Sequence, residues 1–221
     1  MTKIGIVVIG RNEGKRLLRC LGSIDRALET VYVDSGSTDG SVAAAWERNA
    51  RVVELDMTRP FTAARARNAG RAALSADCTF IQFIDGDCVL QPRWLDTART
   101  ALQDDSRLAA VFGRRREVAP EASLFNWLCD LEWAVPSGPA NYFGGDVMIR
   151  ARTLDQAGGY PGEMIAGEEP DLSVRLRKAG CQPLSKKNVG ELPLNTSCDL
   201  KIKLTDFHGG NSILEQSTFE V

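Results

Sequence analysis

The feature that most constrains this chain is an alternation that runs through about residue 111, in which short β-branched apolar runs are each followed by a helical pattern. Residues 3–9, KIGIVVI, read as a strand buried on both faces. NEGKRLLRCLGSI then carries Leu17, Leu18, Leu21 and Ile24 at helical spacing. A second strand ends at Asp34, a helix is expected from Ser41, and RVVELD reads as a third strand. FTAARARNAGRAALSA is a further helix, CTFIQFID a fourth strand, and PRWLDTARTALQD a helix with Pro92 near its start, where a missing N–H costs nothing. Such an order predicts βαβ units, hence an α/β fold with a mainly parallel, Rossmann-like sheet flanked by helices. Ligands of these sheets bind beyond the carboxyl ends of the strands. Polar residues gather at those ends: Arg11, Asn12 and Glu13, then Asp34 to Asp39, then Asp85 and Asp87. Three loops are expected to converge on one crevice.

After Val111 the texture changes. SLFNWLCDLEW is aromatic and amphipathic, NYFGGDVMIR places glycines before a strand-like run, and EEPDLSVRLRKAG reads as a helix closing at Gly180. Residues 1–180 are therefore expected to form one domain, with a nucleotide-binding half over 1–110 and an acceptor half over 111–180. Residues 181–221 read as a divergent or truncated tail without an amphipathic helix, in which CQPLSKKNVGEL does not look like a strand. For LFNWLCDLEW, acceptor cleft, core and subunit contact are open, core packing being preferred. The run GRRRE at Arg114–Arg116 is expected to be a solvated loop.

A net charge of −2 gives no reason to expect nucleic acid as a partner. No apolar stretch approaches the roughly 18–20 residues of a membrane span, and the N-terminal run is too short for a signal sequence. Six scattered cysteines without a CxxC pair are expected to stay reduced. A cytoplasmic location follows, with association at the inner face of a membrane left open.

Four clusters carry chemistry. In IDGD, Asp85 and Asp87 stand directly behind an apolar run, and a desolvated carboxylate needs a partner or a metal. Two carboxylates so spaced can hold magnesium or manganese, although Asp-Gly-Asp also forms plain turns. VDSGSTDGS offers Asp34 and the small hydroxyls after it, Ser35 among them, as acceptors for a base or ribose, or else a loop whose Asp39 or Ser37 caps the next helix. In ARARNAG, Arg65 and Arg67 are guanidinium donors for a nucleotide, or solvent-facing charges, the latter preferred for Arg65. Glu168 and Glu169 open a helix, an arrangement that presents a general base but that helix dipoles also favour.

Taken in order, VVIGRNEG, VDSGSTDGS, ARNAG, IDGD, GGDVMIR and GEEPDLSVRLRKAG resemble the family 2 glycosyltransferases, the inverting group with the GT-A fold, over roughly residues 3–180. The resemblance implies that Ile9, Arg11, Asn12 and Glu13 line the nucleotide, that Asp34 and Ser35 contact it, and that Arg65 or Arg67 lies nearby. It implies Asp85 near the ribose and Asp87 on a manganese or magnesium ion bridging the donor diphosphate. Gly144, Gly145 and Asp146 would belong to the acceptor side, with Trp133 stacked on a sugar. Glu169, where the family usually has aspartate, would take the proton of an acceptor hydroxyl; Glu168 is the neighbouring candidate. The donor would be a nucleoside-diphosphate sugar, with uridine diphosphate the commonest base. The tail departs from the family, and His208 in DFHGG is a candidate for the histidine often found near the metal. A non-catalytic nucleotide-sugar binder and a sugar-phosphate nucleotidyltransferase are the alternatives.

Overall fold

The structure, a computed structural model, describes residues 2–134, 138–181, 184–186 and 196–198. Strands β1 (Ile4–Gly10), β2 (Glu29–Asp34), β3 (Arg51–Glu54) and β4 (Phe80–Asp85) alternate with helices α1 (Lys15–Gly22), α2 (Ser41–Glu47) and α3 (Ala63–Ala73). Then follow β5 (Cys88–Leu90), α4 (Trp94–Asp104), β6 (Ala110–Phe112), β7 (Arg115–Glu117), α5 (Leu124–Trp133) and β8 (Gly138–Ala140). The last elements are β9 (Val147–Arg150), α6 (Ala151–Gln156), α7 (Glu168–Lys178), β10 (Leu184–Lys186) and β11 (Thr196–Cys198).

Eight strands form one sheet in the order β3–β2–β1–β4–β9–β6–β10–β8. The first four are parallel, as the βαβ pattern requires, and β9 runs antiparallel between β4 and β6. Alternate residues of β1 divide between two cores. Ile4, Ile6 and Val8 pack with α1, α2 and α4, while Val7 and Ile9 pack with α3, α6 and α7. A strand covered on both faces must be apolar throughout, which is why β1 reads as an unbroken run. Gly70 lets α3 lie directly on β1, since a Cβ there would sit 2.3 Å from Val7 Cγ1. Buried Gln82 accepts a hydrogen bond from Trp94 Nε1 at 2.8 Å, so the one amide in the middle of β4 is matched by an indole of α4.

Four sequence expectations are corrected. The segment Leu184–Lys186 is a strand, parallel to β6 and antiparallel to β8, because pairing partners rather than local composition give it a place. A small second sheet, β5–β11–β7, takes in Arg115, so GRRRE is not a solvated loop. Helix α5 buries none of its residues fully and Trp133 at its end packs against the core, so core packing of LFNWLCDLEW holds for Trp133 and not for the exposed Leu124, Phe125, Trp127, Leu128 and Leu131. Cys20, Cys78, Cys129 and Cys181 are free, but Cys88 is disulfide-bonded; it lies opposite Cys198 in the antiparallel β5–β11 register, a proximity that sequence separation conceals. His208 lies outside the described residues. Among the described residues no helix is long and apolar enough to cross a membrane.

Candidate functional site

The loops after β1 and β4 meet at the carboxyl edge of the sheet, and Ser35 joins them from the end of β2. They enclose a cavity of about 320 Å³ lined by Ile9, Arg11, Glu13, Ser35, Asp85 and Asp87, with Phe61 and Arg115. Arg11 holds its guanidinium 5.1 Å from the centre of the Phe61 ring, which makes a flat cationic and aromatic wall. Beside it is a second cavity, about 400 Å³, lined by Trp133, Gly144, Gly145, Asp146 and Glu169, with Glu132, Tyr142 and Phe143. Arg115 lines both.

Five expected residues stand behind these walls, Glu168 among them as a buried partner of Arg67. Asp34 is buried, and accepts from Tyr32 Oη at 2.9 Å and from the backbone N–H groups of Gly36 (2.9 Å) and Ser37 (2.7 Å). Its carboxylate shapes its own loop instead of lining the cavity. Asn12 has φ +56°, a left-handed conformation asparagine tolerates, and clamps two loops together. Its N–H donates to Ser37 Oγ at 2.8 Å, while its Oδ1 accepts from Thr38 N at 2.7 Å. Arg65 donates to the backbone carbonyls of Asp56, Arg59 and Pro60 and is thereby tied to the loop before α3. Arg67 is buried and lines neither cavity; its Nη1 lies 2.9 Å from Glu168 and 3.2 Å from Glu169, and its Nη2 3.2 Å from Asp85.

These contacts extend into a chain of alternating charge. Arg115 donates from Nη2 to Asp85 at 2.9 Å and from Nε to Asp146 at 2.8 Å, and Asp146 in turn accepts from the Asp85 backbone N–H. Glycine at 145 makes room for this packing, because a Cβ there would lie 2.6 Å from Arg67 Nη2 and 2.9 Å from Asp85 Oδ2. Burial alone would raise the Asp85 carboxyl, but Arg67 and Arg115 outweigh it and hold the group below the usual range. At Asp87 the pull of Arg115 is outweighed. Burial, then Asp85, Glu13 and Asp146, push it up to about 7. Glu169 is also raised, by burial against the pull of Arg67, with Glu168 adding to the rise.

Asp85, Cys88 and Asp146 lie within 4.8 Å of one another, but a disulfide sulfur offers no thiolate and both aspartates already hold Arg115. Asp87 and Glu13 are the other acids on the wall of the first cavity. Hard carboxylate oxygens of this kind fit magnesium or manganese.

Arg115 and Phe61 were missed by sequence reasoning. The run of three arginines was visible, but its meaning lies in the strand alternation, with Arg115 and Glu117 turned in and Arg116 out. Phe61 carried no pattern of its own.

The family model described as Glycosyl transferase family 2 matches residues 5–131. A pre-mycofactocin glycosyltransferase of Mycobacterium tuberculosis is 27% identical over 195 residues, covering 81% of this chain and 40% of that protein. The chain spans 26% to 40% of the length of the curated relatives it matches. Glucosyl-3-phosphoglycerate synthase from M. tuberculosis, in complex with Mn2+, uridine diphosphate and glucosyl-3-phosphoglycerate, has a TM-score of 0.66 at 21% identity over 91% of this chain and 73% of that one. A mannosyltransferase from Pyrobaculum calidifontis, in complex with GDP-Man and Mn2+, gives 0.67 at 18% identity over 93% and 58%. At these identities the likeness concerns the fold, which is of GT-A type.

Proposed function

The chain belongs to glycosyl transferase family 2, and on that premise we propose that it transfers a sugar from a nucleoside-diphosphate sugar to an acceptor hydroxyl with inversion at the anomeric carbon. The observation that carries this reading is the pair of adjoining cavities, one edged by Asp85 and Asp87 at the strand ends and the other by Glu169. The first would take the nucleotide, within a nucleotide half over residues 1–110. The second would take the acceptor, within 111–180, with Trp133 against a sugar face.

Glu169 is the general base. It lines the acceptor cavity whereas Glu168 does not, and its raised carboxyl suits proton abstraction near neutral pH. In the transfer, the acceptor oxygen bonds to the anomeric carbon and its proton passes to Glu169. The bond from that carbon to the diphosphate breaks, and its electron pair leaves on the phosphate oxygen. Asp87 would hold a manganese or magnesium ion, which when bound supplies a positive charge for the diphosphate. The relatives crystallised with Mn2+ and with UDP or GDP-Man support both the metal and the donor class.

Calorimetric titration of a panel of nucleoside diphosphates, first with manganese and then with chelator, tests this reading. One nucleotide should bind with manganese and lose affinity on chelation, and Asp87→Asn should abolish the metal dependence. Absence of binding to any of them sinks the proposal. Glu169→Gln should retain the nucleotide and lower kcat by about 10²–10⁴-fold; the same pattern in Glu168→Gln instead would move the base by one residue.

A further inference from the structure

We infer that Arg115 is the cation that receives the departing diphosphate, at the point where the donor and acceptor cavities join. This inference rests on the glycosyl-transfer reading and names a residue that the family resemblance did not.

Position comes first. The reacting anomeric carbon has to lie between a nucleotide in one cavity and an acceptor in the other, and Arg115 is the residue that lines both. Orientation comes second. Nε is fixed on Asp146 and Nη2 on Asp85 and Asp146, while Trp133 stands with its ring centre 5.4 Å from the guanidinium carbon. The guanidinium is thus held along one edge and across one face. Among the described residues its Nη1 group has no hydrogen-bond partner. An edge locked by two carboxylates fixes the direction of the free one, so Nη1 is a pre-oriented donor.

Chemistry selects the ligand. Planar guanidinium N–H groups match phosphate oxygens, and charge builds on the diphosphate as the bond to the sugar breaks. A donor already fixed at that place need not reorganise during the reaction and so favours the transition state. A nucleoside or its monophosphate does not carry the outer phosphate and gains nothing from Arg115. A mere brace between Asp85 and Asp146 would treat every nucleotide alike.

The discriminating quantity is the gain in affinity from nucleoside monophosphate to diphosphate, measured by calorimetry with the full chain and manganese. Arg115→Met should lower diphosphate affinity about 10–100-fold, the range for a hydrogen bond to a charged group, and leave monophosphate affinity within about twofold. Arg115→Lys keeps the charge and loses the planar edge, so it should keep monophosphate binding and recover only part of the gain; it also stands in if the methionine variant does not fold. Equal losses for monophosphate and diphosphate in either variant mean a structural brace and overturn the inference. An unchanged diphosphate gain in Arg115→Met, or in Arg115→Lys where that variant stands in, overturns it while leaving the glycosyl-transfer reading intact. Failure of the unmodified chain to bind any nucleoside diphosphate overturns both.

Discussion

The parallel strands β1 to β4 and the helix α5 are built on opposite plans. In β1 and β4 the apolar side chains are buried on both faces, and polar residues are held back to the strand ends, where a cavity opens. Helix α5 is turned inside out. Leu124, Leu128 and Leu131, one face at i, i+4 and i+7, are 68%, 45% and 57% exposed, with Phe125 and Trp127 beside them. Its inward side carries Asp130, which accepts from the Glu117 backbone N–H at 3.1 Å and lies 3.6 Å from Arg114 and 3.7 Å from Arg116. Hydrophobic burial organises the first region, whereas polar contacts hold the helix of the second against β7. The difference teaches that an amphipathic pattern states which faces exist, not which one turns inward.

Truncation should separate the two regions most sharply. Phe83→Ala removes a fully buried ring that meets Tyr160 edge-on at 5.3 Å, and should cost about 3–5 kcal/mol in denaturant unfolding. A loss below about 1 kcal/mol there would break the comparison. Asp130→Ala should cost about 1–3 kcal/mol, since it leaves the Glu117 N–H without its acceptor. Were it neutral, polar contacts would not be what fastens α5.

The opposite end of the parallel sheet gives a pH test. Burial alone would raise Glu29, but hydrogen bonds from Lys3 and Ser75 outweigh it and hold the carboxyl at about 2. A depressed value stabilises the fold above the unfolded value of about 4.3, and that contribution is lost as pH falls toward 2. Glu29→Gln should therefore lower stability at neutral pH by a small amount and flatten the acid limb between these values. An unchanged limb in acid titration followed by circular dichroism would remove the pair from the account. Smallest of all, Trp127→Ala should stay within about 0.5 kcal/mol, despite deleting a larger side chain than Phe83→Ala. A cost of several kcal/mol would mean that the outer face of α5 is covered in solution.

The loops at the strand ends were legible because a βαβ order sends each of them to the same edge of the sheet. Ile9, Arg11, Glu13, Ser35, Asp85 and Asp87 do line one cavity, and Trp133, Gly144, Gly145, Asp146 and Glu169 the other. Asn12, Asp34, Arg65 and Arg67 occur in the same motifs yet turn to backbone groups or to other charges, and motif position carries no side-chain direction. Arg115 was illegible for the complementary reason. Its partners Asp85 and Asp146 belong to distant stretches, and a run of arginines has no periodicity long enough to declare a strand.

By itself the sequence determined the alternating elements, the parallel run of the first four strands and the acids at their ends, because these follow from periodicity and from short-range chemistry. Only the tertiary structure decided that β9 enters antiparallel, that α5 faces its apolar side outward, and that Arg67 and Arg115 bind the acids of both cavities into one chain of alternating charge. Those outcomes depend on contacts between residues far apart in the chain, and such contacts leave no local signature.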